Sequence, residues 1–288
     1  MNLKKYGFSE VAAIMAQRAS TFATYRHTGL FASVKLDEFI SAISSKKVRP
    51  KAIETPVKRG STLHILSRAL EGGGHTRVVE RWISSSPLNE VHSALITRGG
   101  KPTQKLKVGI SAHRGEIIVQ RRFSRLIGRA RKIQKISRNY SRVVLHVHMD
   151  DILPLLAFSR DDNSPEIFHF NHADHRFWVG STLPDRVIEM RSWGKTLSEM
   201  KRGIFDSEVI GIPLPDRLEN SNLDKSSARK TLGINEATEV FLTVGHPRKY
   251  LAETQLHFTE AVRALLLGFP KRQLFAVGPG GMLDAQWK

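Results

Sequence analysis

Residues 63–83 read LHILSRALEGGGHTRVVERWI, and this stretch decides the fold. An apolar strand-like run leads into Gly72, Gly73 and Gly74, then into His75 and a segment with apolar residues at helical spacing. Glycines let a backbone approach a ligand closely, and free amides at the start of a helix favour a phosphate, a carboxylate or a polar sugar edge. The stretch lacks the G-x-G-x-x-G spacing and the P-loop Lys-Ser/Thr pair. It predicts a strand, a glycine loop and a helix, with the loop either a ligand-binding turn or a structural hinge.

The segments that follow repeat this alternation of strand and helix. Strand-like runs such as SALIT, RVVLHVH, EIFHF and RVIEM are separated by amphipathic or turn-rich stretches as far as VIGI. This pattern is typical of a parallel α/β sheet with crossover helices. We therefore predict an α/β protein with a helical N-terminal extension (1–58), a Rossmann-like domain (59–212), a linker rich in Pro, Asn and Ser (213–230) and the beginning of a second Rossmann-like domain (231–288).

The composition narrows the class of protein. The chain has 288 residues, 40% of them apolar, and no cysteine. The missing thiols exclude disulfides, thiolate zinc sites and cysteine nucleophiles, and they fit a reducing compartment. No apolar run approaches the roughly 20 residues of a membrane-spanning helix. We therefore expect a globular cytoplasmic protein.

The positive charge is concentrated in the first half of the chain. Residues 1–150 contain 28 Lys and Arg against 9 Asp and Glu, whereas residues 151–288 contain 17 against 18. The densest part, residues 120–142, predicts a basic amphipathic helix. Such a helix is either a solvated outer face or a surface for anionic lipid or a phosphate-bearing substrate. We expect peripheral association with the inner face of the cell membrane and, for want of a recognised motif, no nucleic-acid partner.

Two histidine-rich stretches follow predicted strands. They are RVVLHVHMDDILPLL at residues 142–156 and FHFNHADHRFW at residues 168–178. Because the carboxyl ends of parallel strands line the ligand crevice, their polar side chains are expected at a binding site, although buried structural histidines and ordinary loop polarity are alternatives. Histidine and aspartate also suit zinc or manganese, so a metal-dependent hydrolase is a second hypothesis. That hydrolase would use His146, His148, His172, Asp174 and His175.

Two of these motifs together resemble bacterial glycosyltransferases of the GT-B type, broadly those of glycosyltransferase family 4. They are GGGHTRVVERW at residues 72–82, similar to a GGHTRVVERW loop, and NHADHRFWVG at residues 171–180, similar to NHADHxFWxG. The resemblance implies two Rossmann-like domains that face each other across a cleft. It also implies transfer of a sugar from a nucleotide-sugar to a cell-surface polysaccharide or glycolipid, with no other cofactor and no bound metal.

The resemblance implies roles for individual residues as well. The catalytic residues would be His75, His172, Asp174 and His175. The substrate-binding residues would be Gly73, Gly74, His148 and Asn171. Arg248 and Lys249, in TVGHPRKY at residues 243–250, would meet the donor diphosphate and stabilise the charge of the leaving group.

One part of the GT-B pattern is missing. These enzymes usually hold the donor ribose and sugar with a Glu-containing segment late in the second domain, and the 288 residues do not include it. We therefore expect weak or absent transfer by this chain, and micromolar nucleotide-sugar binding in calorimetry would contradict that expectation. The sequence leaves open the donor sugar, the acceptor and whether transfer is retaining or inverting.

Overall fold

The computed structural model describes residues 8–26, 28–48, 58–71, 73–121, 124–158, 165–211, 224–245, 250 and 257–278. The chain forms two compact units, Met1–Pro215 and Asp216–Lys288. The domain limits drawn from the sequence stay predictions.

The first unit is built on a seven-stranded sheet. Its strands are β1 (Lys58–Leu66), β2 (Val91–Ile96), β3 (Ile117–Val119), β4 (Tyr140–His146), β5 (Glu166–Asn171), β6 (Arg186–Glu189) and β7 (Ser207–Val209). They lie in the order β3-β2-β1-β4-β5-β6-β7, and every neighbouring pair is parallel. The predicted α/β class with a Rossmann-like sheet is therefore confirmed.

Helices flank the strands of this sheet. They are α1 (Phe8–Tyr25), α2 (Val34–Lys47), α3 (Gly74–Ser85), α4 (Gln104–Ala112), α5 (Leu126–Ser137), α6 (Leu153–Ala157) and α7 (Ser192–Arg202). The Ser33 hydroxyl caps α2 by accepting from the Leu36 amide at 3.3 Å, and Thr103 caps α4 in the same way. Gly203 ends α7 with a φ of 68°, a left-handed value that costs glycine no steric strain.

Alternation along the strands divides the core into two layers. On β1, Leu63 and Ile65 face the layer formed with α1, α2, α5 and α6. Leu66 faces the opposite layer, formed with α3 and α4. Because successive side chains of a strand point to opposite faces, His64 falls on the Leu66 side, where its ring meets Trp82 of α3. The strand period thus places a histidine inside an apolar layer.

The hairpin of α1 and α2 belongs to the core of the first unit. Ala13 and Ile40 are buried among sheet residues. Asp37 is 1% exposed and accepts hydrogen bonds from the Gly180 and Thr182 amides at 2.8 and 3.2 Å. Burial raises the pKa of Asp37 above its ordinary value although these donors oppose the rise. The hairpin is therefore tied to the segment between β5 and β6.

The basic helix predicted for residues 120–142 is shorter than expected. Helix α5 covers Leu126–Ser137, and residues from Tyr140 onward belong to β4. Ile127, Ala130 and Ile133 are buried, so the apolar stripe of α5 packs against the sheet. In the ranges that the structure describes, no helix combines the length and apolarity needed to cross a bilayer.

The described part of the second unit alternates helix and strand. It contains α8 (Lys225–Thr231), β8 (Glu239–Val244), α9 (Phe258–Leu266) and β9 (Arg272–Val277). Strands β8 and β9 pair in parallel along their whole length. The Asp224 carboxylate caps α8 by accepting from the Ser227 amide at 2.8 Å.

Candidate active site

The carboxyl edge of the seven-stranded sheet gathers most of the polar side chains that the sequence singled out. The sheet grows to one side of β1 through β2 and β3, and to the other side through β4 to β7. At such a switch point the loops that leave the two central strands separate, and ligands bind in the crevice between them. The His148 amide donates to the Ser67 hydroxyl at 2.8 Å across this point.

Two carboxylates and one guanidinium brace the crevice. Asp151 is 3% exposed and accepts from the Ser67 and Thr97 hydroxyls at 2.6 and 2.8 Å. Arg98 donates to Asp150 at 2.7 Å, and its Nε lies 3.5 Å from Asp151. Asp150 and Asp151 therefore link the ends of β1, β2 and β4, and Arg98 offsets part of their negative charge.

Asp150 also fixes His148. The His148 Nδ1 lies 2.6 Å from Asp150 Oδ1, and the His148 ring stacks on Tyr25 with centroids 5.8 Å apart. Burial raises the pKa of Asp150, but the hydrogen bond from His148 and the charge of Arg98 outweigh this effect and lower the pKa well below 3.8. Asp150 is therefore ionised, and His148 carries a proton on Nδ1.

Four histidines touch in series beneath α3. His64 Nε2 lies 3.0 Å from His92 Nδ1, His64 Nδ1 lies 3.3 Å from His146 Nε2, and His146 Nδ1 lies 3.2 Å from His172 Nε2. We call His92, His64, His146 and His172 the histidine row. Burial lowers the pKa of His64 to about 3 and lowers the pKa of the other three rings as well. All four imidazoles are therefore neutral at pH 7.

His75 meets His172 at the end of the histidine row. Their rings stack with centroids 3.9 Å apart and planes 13° apart. His75 Nδ1 donates to the His146 carbonyl oxygen at 3.2 Å, so His75 Nε2 carries the lone pair. Burial lowers the pKa of His75 and of His172. Two neutral imidazoles at this edge can accept a proton or orient a hydroxyl.

Paired polar groups hold the loop that carries His172. Asn171 donates to both carboxylate oxygens of buried Glu189, at 3.2 and 3.0 Å. Asp174 accepts from Arg191 Nε and Nη2 at 2.6 and 2.9 Å. These hydrogen bonds and the charge of Arg191 lower the pKa of Asp174. Asn171 and Asp174 therefore use their polar atoms to position the loop.

The aromatic residues of FHFNHADHRFW brace the same loop from the core side. Phe177 and Trp178 are both buried. Trp178 stacks on His169 with centroids 4.3 Å and planes 5° apart. Arg202 donates to the Asp174 carbonyl oxygen at 2.6 Å and lies over the Trp178 ring at 5.1 Å. Neither aromatic ring is placed to stack on a sugar.

A pocket of about 920 Å³ opens beside the crevice. Its lining includes Arg68, Arg98, Arg121, Gln120 and Ser124. Arg68 and Arg121 are exposed, whereas Arg98 is held by the two aspartates. The pocket is therefore basic and suits an anionic group such as a phosphate.

The metal-hydrolase hypothesis has no support in the described part of the chain. No group of three or more His, Asp or Glu side chains there is placed to hold a metal ion. Both ring nitrogens of His146 are occupied by other histidines, and Asp174 is paired with Arg191. The mixture of His and Asp residues suggested a metal site, but these side chains contact other protein side chains instead.

The predicted site residues lie at one sheet edge but do not converge on one point. His75 and His172 are in ring contact. Gly73 is the N-cap residue of α3 and Gly74 is its first residue. The His175 side chain is 65% exposed. His148 lies after β4, Asn171 ends β5 and Asp174 follows it, and all three are paired within the protein. Arg248 and Lys249 fall outside the described residues.

Several residues of the site were not predicted, among them His64, His92 and Arg98. His64 and His92 occupy inward positions in the apolar strand sequences TLHIL and VHSALI. A lone histidine at an inward strand position is the signal that could have found them. Arg98 is the second residue after β2, as other site residues follow β4 and β5.

The fold is shared with solved structures of other proteins. HepE from Anabaena, in complex with UDP and glucose, is similar with 14% sequence identity and a TM-score of 0.51, over 78% of this chain and 63% of that chain. A glycosyltransferase from Rickettsia africae is similar with 13% identity and a TM-score of 0.50, over 78% of this chain and 70% of that chain. No protein-family model and no curated protein matches the sequence.

These comparisons show a common fold. The chain spans 63% of the length of the HepE structure, which is less than two thirds. The predicted GT-B-type α/β fold is confirmed, and the narrower likeness to glycosyltransferase family 4 stays a prediction.

Proposed function

We propose that the protein is a glycosyltransferase that moves a sugar from a nucleotide-sugar to a hydroxyl of a cell-surface polysaccharide or glycolipid. The contact between neutral His75 and His172 at the switch point carries this proposal, because the surrounding fold is shared with a glycosyltransferase. Transfer to a hydroxyl is accelerated by a base that takes the hydroxyl proton as the new bond forms. A neutral imidazole at this edge supplies that base.

His172 is the proposed base, and His75 is proposed to bind the same acceptor hydroxyl. His172 Nε2 faces His146, which leaves Nδ1 for the acceptor hydroxyl. His75 is proposed to orient the same hydroxyl through Nε2, since its Nδ1 is engaged by the His146 carbonyl. Bracing of the His172 loop supports this assignment, because proton transfer requires a fixed geometry. Gly73, Gly74, His148 and His175 remain proposed contributors at the same edge.

The charge of the site supports phosphate-bearing substrates. The basic pocket presents Arg68 and Arg121 beside the crevice. HepE, which shares the fold, was solved with UDP and glucose, and this supports a nucleotide-sugar as co-substrate. Arg248 and Lys249 of the second unit are proposed to meet the donor diphosphate. We propose no further cofactor and no bound metal.

A donor survey tests the proposed function. UDP-, GDP-, CDP- and ADP-linked sugars are incubated with stoichiometric protein, so that slow turnover is visible, and bacterial glycolipid extract serves as acceptor. We expect release of the nucleoside diphosphate from one donor class. A variant with both H75Q and H172Q, purified in parallel, controls for contaminating enzymes. Release from none of the four classes, or equal release by the variant, would contradict the proposal.

We also propose that exposed cations of α5 hold the protein at the cytoplasmic face of an anionic membrane. Lys132 and Lys135 are exposed, while the apolar stripe of α5 is buried, so the attraction is electrostatic. Vesicles rich in anionic lipid should float the protein at low salt and release it at high salt.

The membrane proposal has a matched pair of variants. Because each cation near such a surface contributes about 1 kcal/mol, K132E with K135E should weaken flotation by at least about 10-fold. Reversing two exposed lysines of the second unit, K225E with K230E, should have little effect. Failure to float at low salt, or equal binding to neutral vesicles, would refute the membrane proposal.

A further inference from the structure

The histidine row has a regular arrangement. Each of its three links joins Nδ1 of one ring to Nε2 of the next ring. The row crosses β2, β1 and β4 and ends on the loop after β5. At its far end, His92 Nε2 lies 3.3 Å from Glu90 Oε2, close enough for a charge contact although not aligned as a hydrogen bond. The Glu90 side chain is 42% exposed, so the row runs from a surface carboxylate to the candidate site.

Neutral rings satisfy every contact of this arrangement. A neutral imidazole has one N–H donor and one lone pair, so each ring of the row donates at one end and accepts at the other. Burial, the main cause, lowers the pKa of all four rings. Trp82 and Phe170 pack on the row and exclude water from it. The charged or titratable groups that face it are Glu90, His113, Arg142, His75 and His169.

Two registers of the row are possible. In one, every ring carries its proton on Nε2, and in the other every ring carries it on Nδ1, because a mixed row would set two N–H groups or two lone pairs against each other. The ionised Glu90 carboxylate favours a proton on His92 Nε2. The Nε2 register follows for the whole row, and it leaves a lone pair on His172 Nδ1.

We propose that the histidine row is a proton relay that drains the acceptor proton from His172 to Glu90 at the protein surface. The inference rests on the proposed function for the source of the proton. The coupling between the proton positions on neighbouring rings of the row does not depend on that function. His64, His92 and His146 act in this relay through His172 and do not touch substrate.

The proton count of the step balances. The acceptor O–H bond breaks as His172 Nδ1 takes the proton, and the oxygen bonds to the sugar carbon while the nucleoside diphosphate leaves. Within the row, His172 Nε2–H passes to His146 Nδ1, His146 Nε2–H to His64 Nδ1, and His64 Nε2–H to His92 Nδ1. Rotation of the half-exposed Glu90 side chain aligns its carboxylate with His92 Nε2–H, and the proton then passes to that carboxylate. Every ring stays neutral. The row resets after the product leaves, when Glu90 returns its proton to His92 Nε2, the hops run in reverse and His172 releases its Nδ1 proton to solvent.

A tautomer measurement tests the relay without any substrate. In protein labelled with [15N]histidine, nitrogen-proton correlation spectra show which ring nitrogen of His172 carries the proton, and H172Q assigns the signals. We expect Nε2–H in the wild type. E90K places an ammonium beside His92 Nε2, so the whole row should change register and His172 should switch to Nδ1–H. E38K, an equal charge change at an exposed position of α2, should leave His172 unchanged.

A broken row provides the second arm of the test. When E90K is combined with H64F, the register change should no longer reach His172. H92F breaks the row one link earlier and serves if H64F fails to fold. If the His172 tautomer is the same in E90K as in the wild type, the relay is refuted. The relay is also refuted if E90K still changes the His172 tautomer when the row is broken, because the effect would then act through space.

The two proposals fail in different ways. If no nucleotide-sugar is turned over, the proposed function is refuted, but the change of the His172 tautomer in E90K still shows whether the rings of the row are coupled. If a donor is turned over but the His172 tautomer is unchanged in E90K, only the relay is refuted.

Discussion

Acidification from pH 7.5 to 5.5 is expected to lower the free energy of unfolding by about 4 kcal/mol. The cause is the set of fully buried neutral histidines, of which His64, His146 and His169 are the clearest. Burial lowers the pKa of His64 and of His169 to about 3, and that of His146 well below 6.5. Urea titrations at a series of pH values measure the loss.

The sign follows from proton uptake by the two states. Below pH 6.5 the unfolded chain protonates these histidines while the folded protein does not, so the unfolded state binds more protons and stability falls with pH. Each such histidine costs about 1.4 kcal/mol per pH unit below 6.5. The loss continues until the pH reaches the folded pKa. Asp37, whose pKa is raised by burial, acts in the opposite direction.

A matched pair of substitutions isolates the titration from general destabilisation. H169Q removes one buried titrating group, so it should reduce the slope of stability against pH by about 1.4 kcal/mol per unit whatever its effect at pH 7.5. I167V alters the same strand without a titrating group and without a contact to the histidine row, and it should leave the slope unchanged. A stability that does not vary between pH 7.5 and 5.5 would show that the rings are not buried and neutral.

Much of the fold could be read from the sequence. Runs such as SALIT, RVVLHVH and EIFHF are strands because they carry apolar residues on both faces, as a sheet covered by helices requires. The glycine loop before His75 gave the start of α3. The end of α5 was missed because the basic pattern continues through Arg138 and Arg142, although residues from Tyr140 pair with β1 and belong to β4. Charge pattern alone does not mark such a boundary.

The site could be predicted only in part. The carboxyl-end rule predicted that His148 and His172 lie at the carboxyl edge of the sheet, and the structure has both there, because the rule depends on strand direction alone. It could not show that Asn171 and Asp174 are paired with Glu189 and Arg191, since those partners lie at the end of β6 and just after it. His64 lies in β1, far from the loops where binding residues were sought, and its role depends on contacts across three strands.

Replacement of the proposed base should have the largest effect on activity. H172Q keeps a polar side chain of similar size but cannot take up the acceptor proton, so transfer should slow by about 100- to 10,000-fold. Donor binding should change little, because the base acts on the acceptor proton in the transition state. The loss should therefore appear in kcat rather than in KM. H172A with added imidazole should recover part of the lost rate, since the small base occupies the vacated space.

The rate of sugar transfer by H172Q relative to the wild type, with the donor class found in the survey, tests the central claim most directly. We expect a loss of at least about 100-fold in kcat, with partial rescue of H172A by imidazole. A kcat within about threefold of the wild type, which is far below the loss of a general base, would show that the edge where His75 meets His172 is not the site of sugar transfer.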